Sequence, residues 1–132
     1  MNIYAERDSV CMGDDVTAPN EADLETNDQM QLSAFMASVA EYVPEMEDVI
    51  WTVHEKNRRG SVIALLISAE GSRTYSVALQ RKDCPMKNAG FDSIFCRYFY
   101  PDMLALKAIG GNLSFSEKVL IFISQEQERE TG

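Results

Sequence analysis

The sequence lacks long apolar runs and the common catalytic motifs. No apolar run approaches the roughly 18 residues that span a bilayer, and the first residues, MNIYAERD, form neither the basic nor the apolar region of a secretory signal. A glycine-rich phosphate loop, a GxSxG motif and an HExxH motif are also absent. These absences predict a cytoplasmic protein without a membrane partner, and they make an enzyme the less favoured class.

Cysteine is scarce too. The three cysteines, at positions 11, 84 and 96, have no metal-site spacing, and an odd number cannot pair completely within the chain. We therefore predict reduced thiols, as is usual in the cytosol. Cys11 and Cys96 are expected to be small packing residues.

Basic residues are rare in the first third of the chain. Residues 1–48 hold twelve acidic side chains against Arg7 alone, a net charge of −11, whereas residues 49–107 carry +4 and residues 108–132 carry −2. The total of −9 disfavours binding to a nucleic-acid backbone, because that affinity comes from cationic side chains. A basic protein partner, or simple solubility, fits this charge better.

The residues that are present fit a single globular domain over residues 1–132, with 45% apolar and 25% charged side chains. Residues 48–82 predict three antiparallel strands joined by tight turns, the first of which ends at Gly60, a residue able to take a positive φ. The middle strand, VIALLI at 62–67, is apolar at consecutive positions and should be buried on both faces. Each flanking strand presents one apolar face, formed by Val49, Trp51 and Val53 on one side and by Tyr75, Val77 and Leu79 on the other.

Further elements lie on both sides of these three strands. Residues 2–6 and 93–100 predict two more strands. A capping box of Thr26 and Gln29 predicts the start of an amphipathic helix that Pro44 ends. The apolar positions of this helix are Leu32, Phe35, Met36, Val39 and Val43.

The C-terminal part predicts two helices. Pro101 suits the first turn of a short helix. Residues 115–125 fit either a strand or a helix by composition, but a second capping box, Ser114 with Glu117, favours a helix that frays into a charged tail at 126–132. The predicted fold is therefore α+β: a mainly antiparallel sheet of about five strands, in the order β-α-β-β-β-β-α-α, with helices packed on at least one face.

Residues 7–26 predict a long acidic loop. Ordered connections of this length are uncommon unless they are functional or mobile. The adjacent Asp14 and Asp15 could coordinate calcium or magnesium, but the alternating ligands of a calcium loop do not continue to Val16 and Ala18. We therefore predict solvated carboxylates in a turn, with no metal and no cofactor.

An alternative hypothesis is a small enzyme or metal-dependent site that uses Cys84, His54 and the pair Asp14 and Asp15. Two lysines flank Cys84 in the sequence, and nearby cations lower the pKa of a thiol. His54 is the only histidine, and it falls on the strand face opposite Trp51. Catalysis would require these groups to converge in one cleft.

The strand at 93–100 is crowded with aromatic side chains, and Arg97 lies among them. This pattern can stack nucleobases, although no RNP-type motif accompanies it. Core packing, with amphipathic tyrosines at the rim, explains it as well. The same residue types are enriched at protein interfaces, so Tyr98 and Tyr100 are candidate partner-binding residues.

The first functional hypothesis is a non-enzymatic acidic module that docks a basic or mixed-charge protein. In size, acidity and α+β pattern the chain is similar to small bacterial immunity proteins, which neutralise toxins. A third hypothesis is a homodimer formed through an exposed sheet edge or the aromatic strand. The predicted partner-binding residues are Asp14, Asp15, Glu21, Asp23, Glu25, Tyr98 and Tyr100.

Overall fold

The computed structural model describes residues 1–9, 20–47, 49–68, 72–99 and 108–131. The chain divides into two compact units, Met1–Phe99 and Tyr100–Gly132. A single domain over residues 1–132 therefore stays a prediction. No helix in the described ranges has both the length and the apolar character to cross a membrane.

The first unit is built on a six-stranded sheet with the strand order β2-β1-β6-β3-β4-β5. The strands are β1 (Asn2–Arg7), β2 (Glu21–Glu25), β3 (Ile50–Glu55), β4 (Val62–Ser68), β5 (Tyr75–Leu79) and β6 (Ser93–Phe99). Helix α1 (Leu32–Tyr42) lies between β2 and β3 in the chain, and a 3-10 turn (Met86–Asn88) precedes β6. The α+β class is confirmed, but the sheet has six strands rather than about five.

The additional strand is β2, which lies within the predicted acidic loop. Its residues pair with β1 in antiparallel register, so the prediction of a loop over 7–26 is wrong for Glu21–Glu25. The pairing of β1 with β6 is parallel, whereas every other pairing in the sheet is antiparallel. A predominantly antiparallel sheet is therefore confirmed, with one parallel pair at its junction with the N-terminal hairpin.

Helix α1 packs on one face of the sheet, which we call the helix face. Its five predicted apolar positions are all buried, which confirms the predicted stripe. On β3, Trp51 and Val53 face this helix, and Tyr75 and Val77 of β5 pack against the same core, as their alternation predicts. Residues of the opposite parity, including Thr52 and His54, lie on the other face. The central positions of β4 are buried, which confirms the prediction for Ile63–Leu66.

The predicted capping box at Thr26 does not form. Helix α1 begins at Leu32, and its N-cap residue Gln31 makes no side-chain capping bond. Thr26 is buried and its hydroxyl lies 3.3 Å from the sulfur of Met30. The free N–H groups of the first turn are instead satisfied from the loop that follows β5: Asp83 Oδ1 accepts the N–H of Ser33 at 3.0 Å, and the Cys84 carbonyl accepts the N–H of Leu32 at 2.8 Å.

The turn between β3 and β4 does not use the positive φ that is open to Gly60. The left-handed residue of this turn is Lys56, with a φ of 69°, while Gly60 does not take a positive φ. Gly60 is needed for space, because a Cβ there would lie 1.7 Å from the carbonyl oxygen of Glu55. His54 is tied to the same turn, since its Nδ1 lies 2.8 Å from the carbonyl oxygen of Gly60.

The second unit contains helix α2 (Phe115–Thr131), so the favoured helix at 115–125 is confirmed. The predicted capping box also forms: the N–H of Glu117 donates to Ser114 Oγ at 3.2 Å, and the N–H of Ser114 donates to Glu117 Oε1 at 3.3 Å. The helix continues through the predicted charged tail, and fraying of residues 126–132 stays a prediction. Most of the short helix predicted after Pro101 lies outside the described residues.

Candidate functional site

The candidate site is the outer edge of the N-terminal hairpin, which we call the acidic edge. It consists of Tyr4 and Glu6 on β1 and of Glu21, Asp23 and Glu25 on β2. The register places Tyr4 opposite Asp23 and Glu6 opposite Glu21. Because side chains alternate between the faces of a strand, these five residues share the face opposite helix α1. The three acidic residues of β2 are all exposed.

Within the described residues, no further strand pairs with the outer side of β2. The N–H of Arg7 donates to the carbonyl of Asn20 at 3.0 Å, and the N–H of Thr26 donates to the carbonyl of Met1 at 2.9 Å. Hydrogen-bonded and non-hydrogen-bonded pairs alternate in an antiparallel ladder. It follows that Ala22 and Leu24 bond inward to β1. The backbone N–H and C=O groups of Glu21, Asp23 and Glu25 therefore point away from β1, in the plane of the sheet, on the side where the strand order ends.

Tyr4 lies in the middle of the acidic edge and is 38% exposed. Desolvation of its hydroxyl, a hydrogen bond with Glu21 and the negative charges of Glu21 and Glu6 raise the pKa of Tyr4 to about 12. Desolvation is the largest cause of this shift, and the carboxylates of Glu21 and Glu6 add to it. Arg7, the base on the same strand, is buried on the helix face.

Of the other four predicted partner-binding residues, the structure describes one, Tyr98. Asp14, Asp15 and Tyr100 lie outside the described residues. Tyr98 is on the helix face, where its ring meets Trp51 edge-on with a centroid distance of 5.4 Å. The sheet thus separates Tyr98 from the acidic edge, and its partner-binding role has no support from this position.

His54 is a buried structural residue, 1% exposed. Its Nε2 lies 2.7 Å from the hydroxyl of Thr52, and its Nδ1 lies 2.8 Å from the carbonyl oxygen of Gly60. Since a carbonyl can only accept, Nδ1 carries the proton and Nε2 accepts from Thr52. Burial lowers the pKa of His54, and the nearby charges of Arg97 and Arg58 act in the same direction.

The hypothetical pair of Cys84 and His54 does not form. His54 is on the face opposite α1, whereas Cys84 packs against the core of the helix face, at the start of α1. Cys96 is fully buried, and burial raises the pKa of its thiol to about 12, so it is the packing residue that was expected. Among the residues that the structure describes, no three side chains of His, Cys, Asp or Glu come together as a metal site.

A groove of about 320 Å³ lies on the helix face, beside the other edge strand, β5. It is lined by Ala37, Ala40, Glu41, Glu45, Arg73, Thr74, Tyr75 and Val77. No sequence motif indicated it, because its walls come from two distant stretches of the chain, residues 37–45 and 73–77. The only signal was the spacing of Ala37 and Ala40, which puts two small side chains on one side of the helix.

Sequence reasoning also missed Tyr4 and Glu6 as part of the acidic edge. The alternation of NIYAER against EADLE contains this information, but only if the two segments are recognised as paired strands. Comparison with protein-family models, with curated proteins and with solved structures found no match.

Proposed function

We propose that this chain is a non-enzymatic binding module that docks a basic segment of a partner protein on the acidic edge. The observation that carries the proposal is the coincidence of outward-pointing backbone groups and exposed carboxylates on the same three residues, Glu21, Asp23 and Glu25. An extended peptide adds to such an edge through main-chain hydrogen bonds, and its alternate side chains provide specificity. When a strand is added to β2, every second side chain of that strand lies on the face opposite α1. These side chains are then beside the carboxylates of β2.

The charge pattern supports a basic occupant. Glu6 and Glu21 are directly opposite each other, and like charges in that position destabilise a sheet. Lysine or arginine side chains on an added strand would relieve this repulsion. The long-range attraction would also speed encounter, and it would weaken as salt screens the charges.

The partner's chemistry follows from the same features. A basic protein with an exposed or flexible strand fits the edge. A toxin of the kind that small bacterial immunity proteins neutralise is one protein of this chemistry, and the chain is similar to those immunity proteins in size, acidity and α+β class. The outward carboxylates also discourage pairing of the edge with unspecific strands.

Two variants with equal net charge test the proposal. The edge variant combines Glu21→Lys and Asp23→Lys. The control variant reverses two exposed acids outside the edge, through Asp28→Lys and Glu47→Lys. Each protein is immobilised, lysate of the source organism is passed over it, and captured proteins are identified, purified and titrated by calorimetry at low and high salt.

We expect a basic protein that binds the wild type and the control variant, binds the edge variant at least about tenfold more weakly, and loses affinity as salt rises. Equal binding to all three proteins would overturn the proposal, and so would the capture of no protein that discriminates the edge variant. Circular dichroism of each variant confirms that the fold is retained.

A further inference from the structure

The strand order ends on its other side at β5, and this edge borders the groove described above. The strand order ends at β5, and in the described ranges no backbone hydrogen bond reaches its outer side. The N–H of Gln80 donates to the carbonyl of Ile63 at 2.8 Å, which fixes the ladder with β4. By alternation, Ser76 and Ala78 bond inward, and the backbone groups of Tyr75, Val77 and Leu79 point outward.

The side chains of these outward-bonding residues lie on the helix face, the same face as the groove. A strand added to β5 would therefore place every second side chain over the groove, at intervals of roughly 7 Å. The groove is open there because α1 presents Ala37 and Ala40 instead of larger residues. Backbone donors and a side-chain cavity thus occur together at this edge.

The groove has an apolar part and an acidic part. Helix α1 runs opposite to β5, since its start is bonded to Cys84 beyond the end of β5 and the segment after its end is bonded to Tyr75, through the carbonyl of Pro44. Ala37 therefore lies towards Val77. Glu41, Glu45 and Arg73 line the Tyr75 end, where two exposed carboxylates outnumber one exposed guanidinium.

We propose that the edge of β5 and this groove bind an extended segment of a partner protein, in which an apolar residue and a lysine or arginine are two positions apart. The apolar side chain packs between Ala37 and Val77, and the basic side chain bonds to Glu41 or Glu45. The main chain bonds to Tyr75, Val77 and Leu79. This site is independent of the acidic edge, because β2 and β5 are the opposite ends of the strand order.

A second copy of the chain fits this groove less well. Two β5 strands related by a two-fold axis pair antiparallel, which places the Arg73 end of one strand beside the Leu79 end of the other. The arginine of the second copy would then lie away from Glu41 and Glu45. Arg81 of the second copy would approach that end instead, but its guanidinium is already bonded to Glu55 at 3.1 Å and to Ser61 at 3.0 Å within its own chain. A basic side chain of another protein has no such competing bonds.

The test uses the full-length protein and a library of short random peptides displayed on phage. Peptides enriched on the wild type are synthesised and titrated by NMR into three variants. Val77→Pro removes an N–H that points outward and leaves the hydrogen bonds to β4 in place. Proline is tolerated in an edge strand at such a position. Glu41→Lys with Glu45→Lys reverses the charge of the groove, and Asp28→Lys with Glu47→Lys is its control of equal net charge.

We expect enriched peptides to share the apolar and basic residues at the stated spacing, and to shift the amide signals of Tyr75, Val77 and Leu79. The affinity of these peptides should be roughly tenfold lower for the groove variant, which is Glu41→Lys with Glu45→Lys. That loss is of the order of one charge-assisted hydrogen bond, and the affinity for the control should be unchanged. Val77→Pro should weaken binding as well. If that variant does not fold, the groove variant, which alters exposed residues only, still decides the question.

Three results would overturn the proposal. One is a failure to enrich any peptide, or peptides without the stated spacing. Another is peptide binding that survives in the groove variant but is lost in the edge variant of β2, which would assign the peptides to the acidic edge. The third is self-association of the wild type, measured by light scattering and lost in Val77→Pro, which would make a second copy the occupant.

Discussion

The carboxylate of Asp83 holds the start of helix α1 through Ser33. Its Oδ1 accepts the backbone N–H of Ser33 at 3.0 Å and its Oδ2 accepts the Ser33 hydroxyl at 2.6 Å. The two residues are 50 positions apart in the sequence. These hydrogen bonds lower the pKa of Asp83 below its ordinary value of 3.8. The helix that covers the sheet is thus capped by the loop that leaves strand β5.

The first prediction concerns the variant Asp83→Asn. Because the folded pKa of Asp83 is lowered, its stabilising contribution is present above pH 3.8 and is lost as the pH falls through the folded pKa. We expect the variant to have a lower Tm than the wild type at neutral pH, with a difference that closes in acid. Thermal unfolding followed by circular dichroism measures this, and Ser33→Ala completes a double-mutant cycle. Equal Tm values at neutral pH would contradict the prediction.

The second prediction is a loss of stability in mild acid that depends on His54. The pKa of buried His54 is lowered, so unfolding takes up a proton between the ordinary value of 6.5 and the folded value. The contribution of His54 to the free energy of unfolding is therefore fully present above pH 6.5. Below that pH the free energy of unfolding should fall, by up to about 1.4 kcal/mol per pH unit. Urea unfolding across this range checks the slope. In His54→Gln, which removes the only histidine, the slope should become flatter. An unchanged slope would show that other groups take up the proton.

The third prediction compares two glycines. A Cβ on Gly60 would lie 1.7 Å from the carbonyl oxygen of Glu55, whereas a Cβ on Gly110 would meet nothing within 4 Å. Gly60→Ala must therefore displace the turn that bonds to His54, and we expect it to cost about 2 kcal/mol or more. Gly110→Ala should stay within roughly 0.5 kcal/mol of the wild type. Free energies of unfolding from urea titrations decide this, and equal effects would refute the steric argument.

The fourth prediction concerns the hydroxyl of Tyr75. It donates to the carbonyl of buried Pro44 at 2.5 Å and accepts the indole N–H of Trp51 at 3.2 Å. Tyr75→Phe leaves both groups without this partner, at a cost of about 1–3 kcal/mol. Tyr4→Phe removes the hydroxyl of a residue that is 38% exposed, and it should change stability by less than about 0.5 kcal/mol. The fluorescence of Trp51, the only tryptophan, reports unfolding in both variants.

Local patterns in the sequence were sufficient for much of the first unit. The alternation around Trp51 and Tyr75 identified which side chains face the core, and the stripe from Leu32 to Val43 identified the buried side of α1. The capping box at Ser114 also formed as predicted. In each case the pattern and the contacts that it predicts lie within a few residues, or on strands joined by one tight turn.

The errors have a common cause in long-range contacts. Strand β2 has only Ala22 and Leu24 as apolar residues, so its alternation is too short to stand out before its pairing with β1 is known. The cap of α1 comes from Asp83, and the local capping box of Thr26 was a misleading alternative. Glu21, Asp23 and Glu25 were singled out as acids of a predicted loop, and the face that they share is visible only once β2 is paired with β1.

The parallel pairing of β1 with β6 has a consequence for synthesis on the ribosome. Asp8, directly after β1, accepts the backbone N–H of Tyr98, a residue 90 positions later. At a translation rate of ~5–20 residues per second, the hairpin of β1 and β2 is complete ~3–15 seconds before β6, the other neighbour of β1, is synthesised. A lone two-stranded hairpin is only marginally stable in water. During this delay, the like charges on β2 keep the nascent hairpin from joining strands of neighbouring chains.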